Sequence, residues 1–306
     1  MRASVKCAPV LVLASLLLLV SGGAVERRVP PFFDDILKQC KVLDQDSLDS
    51  CLHHMLNSIR SYLPDGIPEW NIPVLEPLAI RGISLNQGGG NTRIRATFKD
   101  LRVSGLSNYT ITYVKSDPAK YKFTLGLQFP KLHITGVYDI FGNLLLIPIK
   151  GHGPFWADFL EVAADSYNWL IVEHPVGDAG PGRLHLNHTQ TDFDIGKVQL
   201  RLDELFNNDE FLGETVNTFL NENAHDIIRE VKPQFAQEID KLVKSVFAEA
   251  IASLPVGLWE GLVRQKEKQR AVDAEAKGAA SASKKRASAK GKQHQAAGAD
   301  KQAKQR

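Results

Sequence analysis

The sequence predicts an α+β protein in which a long C-terminal helix is wrapped by a strongly curved antiparallel β-sheet, after a short N-terminal helical segment. Residues 74–203 alternate apolar and polar side chains with a period of two, whereas residues 207–254 carry an apolar stripe at helical spacing. Strict alternation indicates a sheet with one wet and one dry face, which is typical of antiparallel strands. The long helix is the candidate to cover the dry face.

The chain begins with the features of a secretory signal peptide. Arg2 and Lys6 precede an uninterrupted apolar run over residues 10–20, and small residues lead to Ala24. The run is shorter than the roughly twenty apolar residues that a membrane anchor needs, although an uncleaved anchor is the alternative. We therefore expect residues 1–24 to be removed and the protein to reach the extracellular space.

Secretion decides how the cysteines and sequons are interpreted. Cys7 leaves with the signal, so the mature chain keeps Cys40 and Cys51. In an oxidising compartment two cysteines most simply form a disulfide, the alternative being two unpaired buried thiols. Asn108 and Asn187 each begin an N-glycosylation sequon.

The segment over residues 30–66 has a helical pattern. Asp46 can cap a stretch whose apolar residues recur every three or four positions, at Leu48, Leu52, Met55, Leu56, Ile59 and Leu63. Pro64 ends this helix because proline disfavours helical geometry in the residue before it.

Three irregularities interrupt the predicted strands. The alternation slips at Asp100, which predicts a β-bulge. The turn residues Phe141-Gly142-Asn143 predict a hairpin over residues 132–149. A further pair of strands is predicted on either side of Gly196.

The C-terminal stripe predicts one helix of about forty residues, which would span about 65 Å. Asn207, with Glu210 three residues later, resembles a capping box at its start. Pro233 is the only internal breaker and should kink the helix. Because a strongly twisted sheet and a helix need not meet everywhere, any gap between them is expected to be apolar.

Charge divides the chain into an acidic body and a basic tail. Residues 25–263 carry 22 Lys/Arg against 31 Asp/Glu, a net charge of −9, whereas residues 264–306 carry thirteen against four, a net charge of +9. The tail has almost no apolar residue larger than alanine, which predicts disorder. We expect at most weak electrostatic contact of this tail with anionic cell-surface polymers, and the acidic body argues against nucleic acid.

The sequence lacks the motifs of the common secreted hydrolases. It contains no Gly-x-Ser-x-Gly elbow and no His-Glu-x-x-His pair, and no glycine-rich loop precedes a helix in a βαβ setting. His185 and His188 are three apart in a strand, so they point to opposite faces and cannot share a metal without a bend. We therefore expect a protein that is not an enzyme and that holds no metal and no cofactor.

The sequence resembles the takeout and juvenile-hormone-binding protein family of insects over nearly all of residues 32–260. Five segments in the right order carry the resemblance: CKVLDQDSLDSC, LPDGIPEWNIPVLEPLAI, DLRVSGLSNYTI, FPKLHITGVYDIFGNLLLIPIKGHGPF and ELFNNDEFLGETVNTFLNENAHDIIREVKP. Glu76 stands where the family has an aspartate, and residues 264–306 have no counterpart in the family pattern. The resemblance implies one long helix in a curved antiparallel sheet, a disulfide between Cys40 and Cys51, and an internal tunnel for a lipophilic ligand.

These observations predict a secreted carrier, with residues 25–263 as the domain that binds a terpenoid or a fatty acid or ester. The protein is expected to be a monomer without an integral membrane anchor. The alternatives are a membrane-interacting lipid-transfer or antimicrobial protein, and a structural protein with a solid core. The candidate tunnel residues are apolar or amphipathic side chains of the strands and the long helix: Phe123, Leu125, Leu127, Phe129, Tyr138, Tyr167, Trp169, Val216, Phe219 and Leu220.

Overall fold

The computed structural model describes residues 29–89, 92–145, 147–174, 182–264 and 268. The predicted signal peptide and nearly all of the predicted basic tail lie outside the described residues. The predicted α+β class is confirmed, because two N-terminal helices are followed by a six-stranded antiparallel sheet and then by C-terminal helices.

The N-terminal helical segment consists of two helices, α1 (Pro31–Gln39) and α2 (Gln45–Ile59). The cap of α2 is Asp44 rather than the predicted Asp46. The Asp44 carboxylate accepts from the Ser47 backbone N–H at 2.9 Å, and the Ser47 hydroxyl oxygen accepts from the Asp44 N–H at the same distance. This arrangement satisfies two N–H groups that a helix start leaves unpaired. The predicted disulfide is confirmed: it joins Cys40, just after α1, to Cys51 in α2.

The sheet consists of β1 (Leu78–Gly89), β2 (Thr92–Ser104), β3 (Thr110–Asp117), β4 (Lys122–Leu144), β5 (Ile147–Glu173) and β6 (Arg183–Leu202). Its order is β1-β2-β4-β5-β6, and β3 also pairs with β4. Strand β2 covers one half of the β4 edge and β3 covers the other half. At about 3.3 Å per residue, the 27 residues of β5 extend for about 90 Å, which makes the sheet unusually long.

Two irregularities change which side chains of a strand face inward. The first is the predicted bulge, which is confirmed because Asp100 has a φ of 51° and the β2–β4 register shifts between Lys99 and Arg102. The second is a change of face in β5 at Glu161, which has a φ of 55°: the buried positions are odd-numbered before it and even-numbered after it, while the pairing with β4 and β6 stays in register. Gly196 lies opposite Glu161, and pairing continues on both sides of it, so β6 is one strand rather than the predicted pair around Gly196.

The hairpin between β4 and β5 turns later than predicted. Pairing continues past Phe141-Gly142-Asn143 as far as Leu144, which pairs with Ile147. A glycine is needed at position 142 because of its backbone conformation and the close approach of β2, and not because the chain turns there. Gly142 has a φ of 141°, and a Cβ at this position would lie 2.1 Å from the carbonyl oxygen of Arg93 on β2.

The predicted single C-terminal helix is two helices, α3 (Glu210–Glu222) and α4 (Ala224–Ala252), followed by a helical segment over Gly257–Arg264. Helix α3 is capped by Asp209, whose carboxylate accepts from the Leu212 N–H, and not by the predicted Asn207. The break lies at Asn223, whose side chain donates to the Phe219 carbonyl, a local bond that competes with helix continuation. Pro233, the predicted kink, lies within α4.

Helix α4 contacts both outer strands of the sheet. On one side the Gln234 side chain accepts from the Asn86 N–H of β1 at 3.1 Å and donates to its carbonyl at 2.9 Å. On the other side Lys232 lies 2.6 Å from the Asp192 carboxylate of β6. A sheet whose first and last strands both contact one helix must curve around that helix, as the sequence predicts.

Helix α3 completes the edge of β6 with two side-chain amides. The Asn217 side chain accepts from the Leu202 N–H at 2.8 Å and donates to its carbonyl at 2.9 Å. Asn221, one helical turn later, makes the same two bonds with Leu200. Each amide therefore takes the place of a peptide group of a neighbouring strand, which satisfies backbone groups that an edge strand leaves unpaired.

The Glu76 carboxylate fixes the segment before β1 to the turn after β2. It accepts from the backbone N–H groups of Gly105 and Ser107 and from the Ser107 hydroxyl, each at 2.7 Å. Burial alone would raise the pKa of Glu76, but these three hydrogen bonds favour the charged form and hold the pKa below its ordinary value of 4.5. The carboxylate therefore stabilises the fold above about pH 4.5, and this contribution is lost as the pH falls through the lowered pKa.

We expect Glu76→Gln to lower the free energy of unfolding by about 2 kcal/mol at pH 7. The glutamine amide is neutral and has one acceptor oxygen, so it cannot replace a carboxylate that accepts three hydrogen bonds. Urea unfolding at pH 7 and pH 3 measures the effect, and the difference from wild type should shrink at pH 3. Glu69→Gln, at an exposed position, is the matched control. A loss that is the same at both pH values would contradict this account.

Candidate functional site

The interior between the sheet and the helices contains two separate apolar clusters. The first is formed by α1, α2, β3 and the end of α4, and it includes Phe33, Leu48, Phe123 and Trp259. The second is formed by β1, β2, α3 and the β4–β5 hairpin, and it includes Tyr138. Ile80 and Ile134 are half-buried and pack against both clusters, so they mark the region where the two meet.

The middle of the interior is lined by apolar side chains that remain half-buried. Leu132, Phe159 and Val198 are in register across β4, β5 and β6, and therefore share one face of the sheet. The neighbouring row on that face contains buried Ala157. We call Leu132, Phe159 and Val198 the central row. These three side chains belong to neither cluster, in contrast to the closely packed residues at both ends.

Four of the predicted tunnel residues lie together on the inner face of β4. Phe123 belongs to the first cluster, and Leu125, Leu127 and Phe129 are half-buried side chains that pack against it. Their alternation along the strand is the pattern from which they were predicted.

Another four predicted residues lie at the second cluster. Val216 and Leu220 of α3 belong to it, and half-buried Phe219 packs against it. Tyr138 is fully buried there, and its hydroxyl donates to the Asp203 carbonyl at 2.5 Å. Burial, together with the nearby carboxylates of Asp203 and Glu204, raises the pKa of Tyr138. The proton of its hydroxyl is therefore already donated in a hydrogen bond to the protein backbone.

The structure does not bring the last two predicted residues, Tyr167 and Trp169, together with the others. They alternate with buried Ser166, Asn168 and Leu170 and so lie on the opposite face of β5. The Lys122 ammonium group lies 5.3 Å from the Tyr167 ring centroid and 4.5 Å from that of Trp169. The phase slip at Glu161 explains the placement, because the left-handed backbone there exchanges the inward and outward positions of the residues beyond it.

Four polar side chains that the sequence analysis did not single out lie on the inner face of β5 and β6. Ser166 pairs with Thr191 and Asn168 pairs with Thr189, and all four are buried. We call these residues the polar inner patch. One signal in the sequence could have indicated them. Thr189 and Thr191 are two residues apart on β6, so they share one face of the strand, as Ser166 and Asn168 do on β5.

The remaining features concern the glycosylation sequons, metal binding and membrane spans. Both sequon asparagines, Asn108 and Asn187, are exposed, and glycosylation stays a prediction. The described residues contain no group of three or more His, Cys, Asp or Glu side chains placed to hold a metal ion. Among the described helices none alone is long and apolar enough to cross a membrane; Ala224–Ala252 and Gly257–Arg264 meet the criteria only as a pair, which is bent by 80°.

Comparison with known proteins gives a family and several similar proteins. A model of the haemolymph juvenile hormone binding protein family matches residues 15–258. The circadian clock-controlled protein daywake of Drosophila melanogaster is 25% identical over 230 residues, which cover 73% of this chain and 86% of the relative. Daywake of Drosophila yakuba is 24% identical over 231 residues with the same coverage.

Among solved structures, the fold matches the crystal structure of Epiphyas postvittana Takeout 1 with a TM-score of 0.59. The match covers 68% of this chain and 94% of that chain at 22% sequence identity. At this level of identity the likeness concerns the fold.

Proposed function

Because the chain belongs to the haemolymph juvenile hormone binding protein family, we propose that it is a secreted carrier that shelters a small lipophilic ligand in its interior. The family is one of binding proteins rather than enzymes, and its fold matches the architecture described above. We propose that residues 25–263 form the binding domain and that the ligand is a terpenoid or a fatty acid or ester.

The observation that carries this proposal is the half-buried central row of Leu132, Phe159 and Val198. Protein interiors are normally packed at the density of organic crystals, and a core residue touches neighbours on all sides. Apolar side chains on an inner sheet face that remain half-exposed have surface left for another molecule. Ile239 of α4, half-buried between Phe235 at the second cluster and Leu242 at the first, has the same property.

We propose that the ligand lies along the central row and reaches towards the inner side chains of β4 and α3. Of the candidate lining residues, the eight that belong to or pack against the two apolar clusters remain in this proposal: Phe123, Leu125, Leu127, Phe129, Tyr138, Val216, Phe219 and Leu220. Tyr167 and Trp169 are left out because they lie on the opposite face.

The energetics are those of removing an oil from water. A ligand that buries about 400 Å² of apolar surface gains about 10 kcal/mol at 25 cal/mol per Å². Association costs at least about 4 kcal/mol, which leaves at most about 6 kcal/mol, an affinity of about tens of micromolar. Such a carrier needs no catalytic group.

The test uses purified mature protein and the apolar fluorophore N-phenyl-1-naphthylamine. We expect the fluorophore to bind and to be displaced by a long-chain terpenoid ester, with no ester hydrolysis detected by chromatography. Steady turnover above the buffer rate would indicate an esterase instead. Absence of fluorophore binding would favour a protein with a solid core.

Val198→Trp is expected to weaken fluorophore binding by about tenfold or more, because the indole would occupy the space beside the central row. If that space exists, the variant should keep its thermal stability, whereas in a close-packed core the larger side chain would cost about 1–3 kcal/mol. Gln199→Trp, on the exposed face of the same strand, is the matched control and should bind like wild type. The proposal would be refuted if Val198→Trp were destabilised and the wild-type protein bound no fluorophore.

A further inference from the structure

The polar inner patch is an unusual feature of an otherwise apolar surface. Its four side chains are buried on the same face of β5 and β6: Ser166, Asn168, Thr189 and Thr191. In register with them on β4 are Phe123, opposite Asn168, and Leu125, opposite Ser166. Polar groups in such surroundings are costly unless they form hydrogen bonds, so their bonds can be followed one by one.

The hydrogen bonds of the patch run in one direction and end at a pair of hydroxyls. Thr189 donates to the Asn168 side-chain oxygen at 2.9 Å, and the Asn168 amide donates to the Ser166 hydroxyl oxygen at 3.1 Å. Thr191 lies directly opposite Ser166, and its buried hydroxyl has no partner among the described residues although its side chain is only 8% exposed. The hydroxyl proton of Ser166 is also left without an acceptor in the described part of the chain. Two hydroxyl groups that can donate therefore lie on neighbouring residues of the inner face.

The surroundings of this hydroxyl pair favour an uncharged partner. In the register rows through the pair, the inner face of the described strands carries no lysine or arginine, and Lys122 lies on the opposite face with Tyr167 and Trp169. Helix α4 contacts β6 through Lys232 near Asp192 and through Lys244 at the Asn187 carbonyl. Between these two lysines it carries Asp240, one of whose carboxylate oxygens is buried without a partner in the described chain. An anionic headgroup would meet desolvation without a compensating cation.

We propose that Thr191 and Ser166 form the polar end of the ligand site and together donate hydrogen bonds to one uncharged carbonyl oxygen, of a ketone or an ester, at the head of the lipid. A carbonyl oxygen has two lone pairs and can accept from both hydroxyls at once. Asn168 and Thr189 then act as positioning residues, because their bonds orient Ser166. This inference rests on the proposed function, and it adds the chemistry of the headgroup and the direction in which the ligand lies.

The test compares three thirteen-carbon competitors of N-phenyl-1-naphthylamine at pH 8: tridecane, 2-tridecanone and tridecanoate. Wild-type protein is expected to bind 2-tridecanone most tightly. Thr191→Val, which removes the hydroxyl and keeps the shape, should lower the ketone affinity about tenfold and change the tridecane affinity by less than about twofold. Ser166→Ala should act in the same direction. Thr124→Val is the matched control, since Thr124 pairs with Tyr167 on the opposite face of the sheet.

Thermal unfolding of each variant shows that it is folded before binding is compared. Equal losses of ketone and tridecane affinity in Thr191→Val would overturn the proposal, because the hydroxyl would then act only through packing. An unchanged ketone affinity would also overturn it and would mean that the hydroxyl pair holds only a water molecule. Tighter binding of tridecanoate than of 2-tridecanone would overturn it in favour of an acidic headgroup. If none of the three displaces the fluorophore from wild type, the proposed function itself fails.

Discussion

Asn217→Leu is expected to lower the free energy of unfolding by about 3 kcal/mol, the largest effect that we predict for a single residue. Asn217 is 5% exposed, and its amide satisfies both the N–H and the carbonyl of Leu202, itself buried. Leucine has a similar volume but forms no hydrogen bond. The substitution would therefore leave two buried backbone groups of β6 unpaired, and each costs about 1–3 kcal/mol.

Asn221→Leu is the control for this prediction. Asn221 makes the same two bonds to Leu200, but its side chain is exposed. Water can replace the lost amide there, so we expect a loss of about 1 kcal/mol or less. Urea unfolding at pH 7 measures both variants. Equal losses would show that burial of the amide is not what makes Asn217 important.

The second large effect concerns the disulfide between Cys40 and Cys51. Replacing both cysteines by serine should lower the free energy of unfolding by about 3 kcal/mol, because the bond closes a loop with a sequence separation of 11 residues. The disulfide also connects α1 to α2, and α2 contacts β3 through Asp49, which accepts from the Ser116 N–H at 2.7 Å. Helix α1 itself is held by Phe33 and Ile36 in the first cluster.

Reduction with dithiothreitol provides the control for the disulfide. Wild-type protein should lose about as much stability on reduction as the double variant loses by substitution. The double variant should not respond to the reductant. A loss below about 1 kcal/mol would mean that packing of Phe33 and Ile36 alone keeps α1 in place.

Much of the fold could be predicted because periodicity records which side of an element is buried. The period of two indicated the strands, and the bulge at Asp100 was visible as a slip in that period. The two cysteines of the mature chain indicated the disulfide, and the long helix beside a long sheet indicated the curvature; the family resemblance implied both as well. The prediction of one long helix failed at Asn223, since the apolar stripe continues through the break and a local side-chain bond leaves no trace in the pattern.

The candidate site was harder to predict for a related reason. Alternation assigns residues to two faces but does not say which face is inside once the alternation slips. The phase slip at Glu161 separates Phe159 from Val162, so the even-numbered residues beyond it face the interior and Tyr167 and Trp169 face away. The polar inner patch escaped notice because buried threonines resemble the wet face of a strand in the sequence.

The side-chain amides of α3 and α4 have a consequence beyond stability. The outer strands β1 and β6 would otherwise offer open hydrogen-bonding rows to any extended segment of a second molecule, the usual route to fibrils. Asn217, Asn221 and Gln234 occupy that row at Leu202, Leu200 and Asn86 with groups that cannot propagate a ladder. The C-terminal helices thus protect a very long sheet from intermolecular strand addition without a further strand to close it.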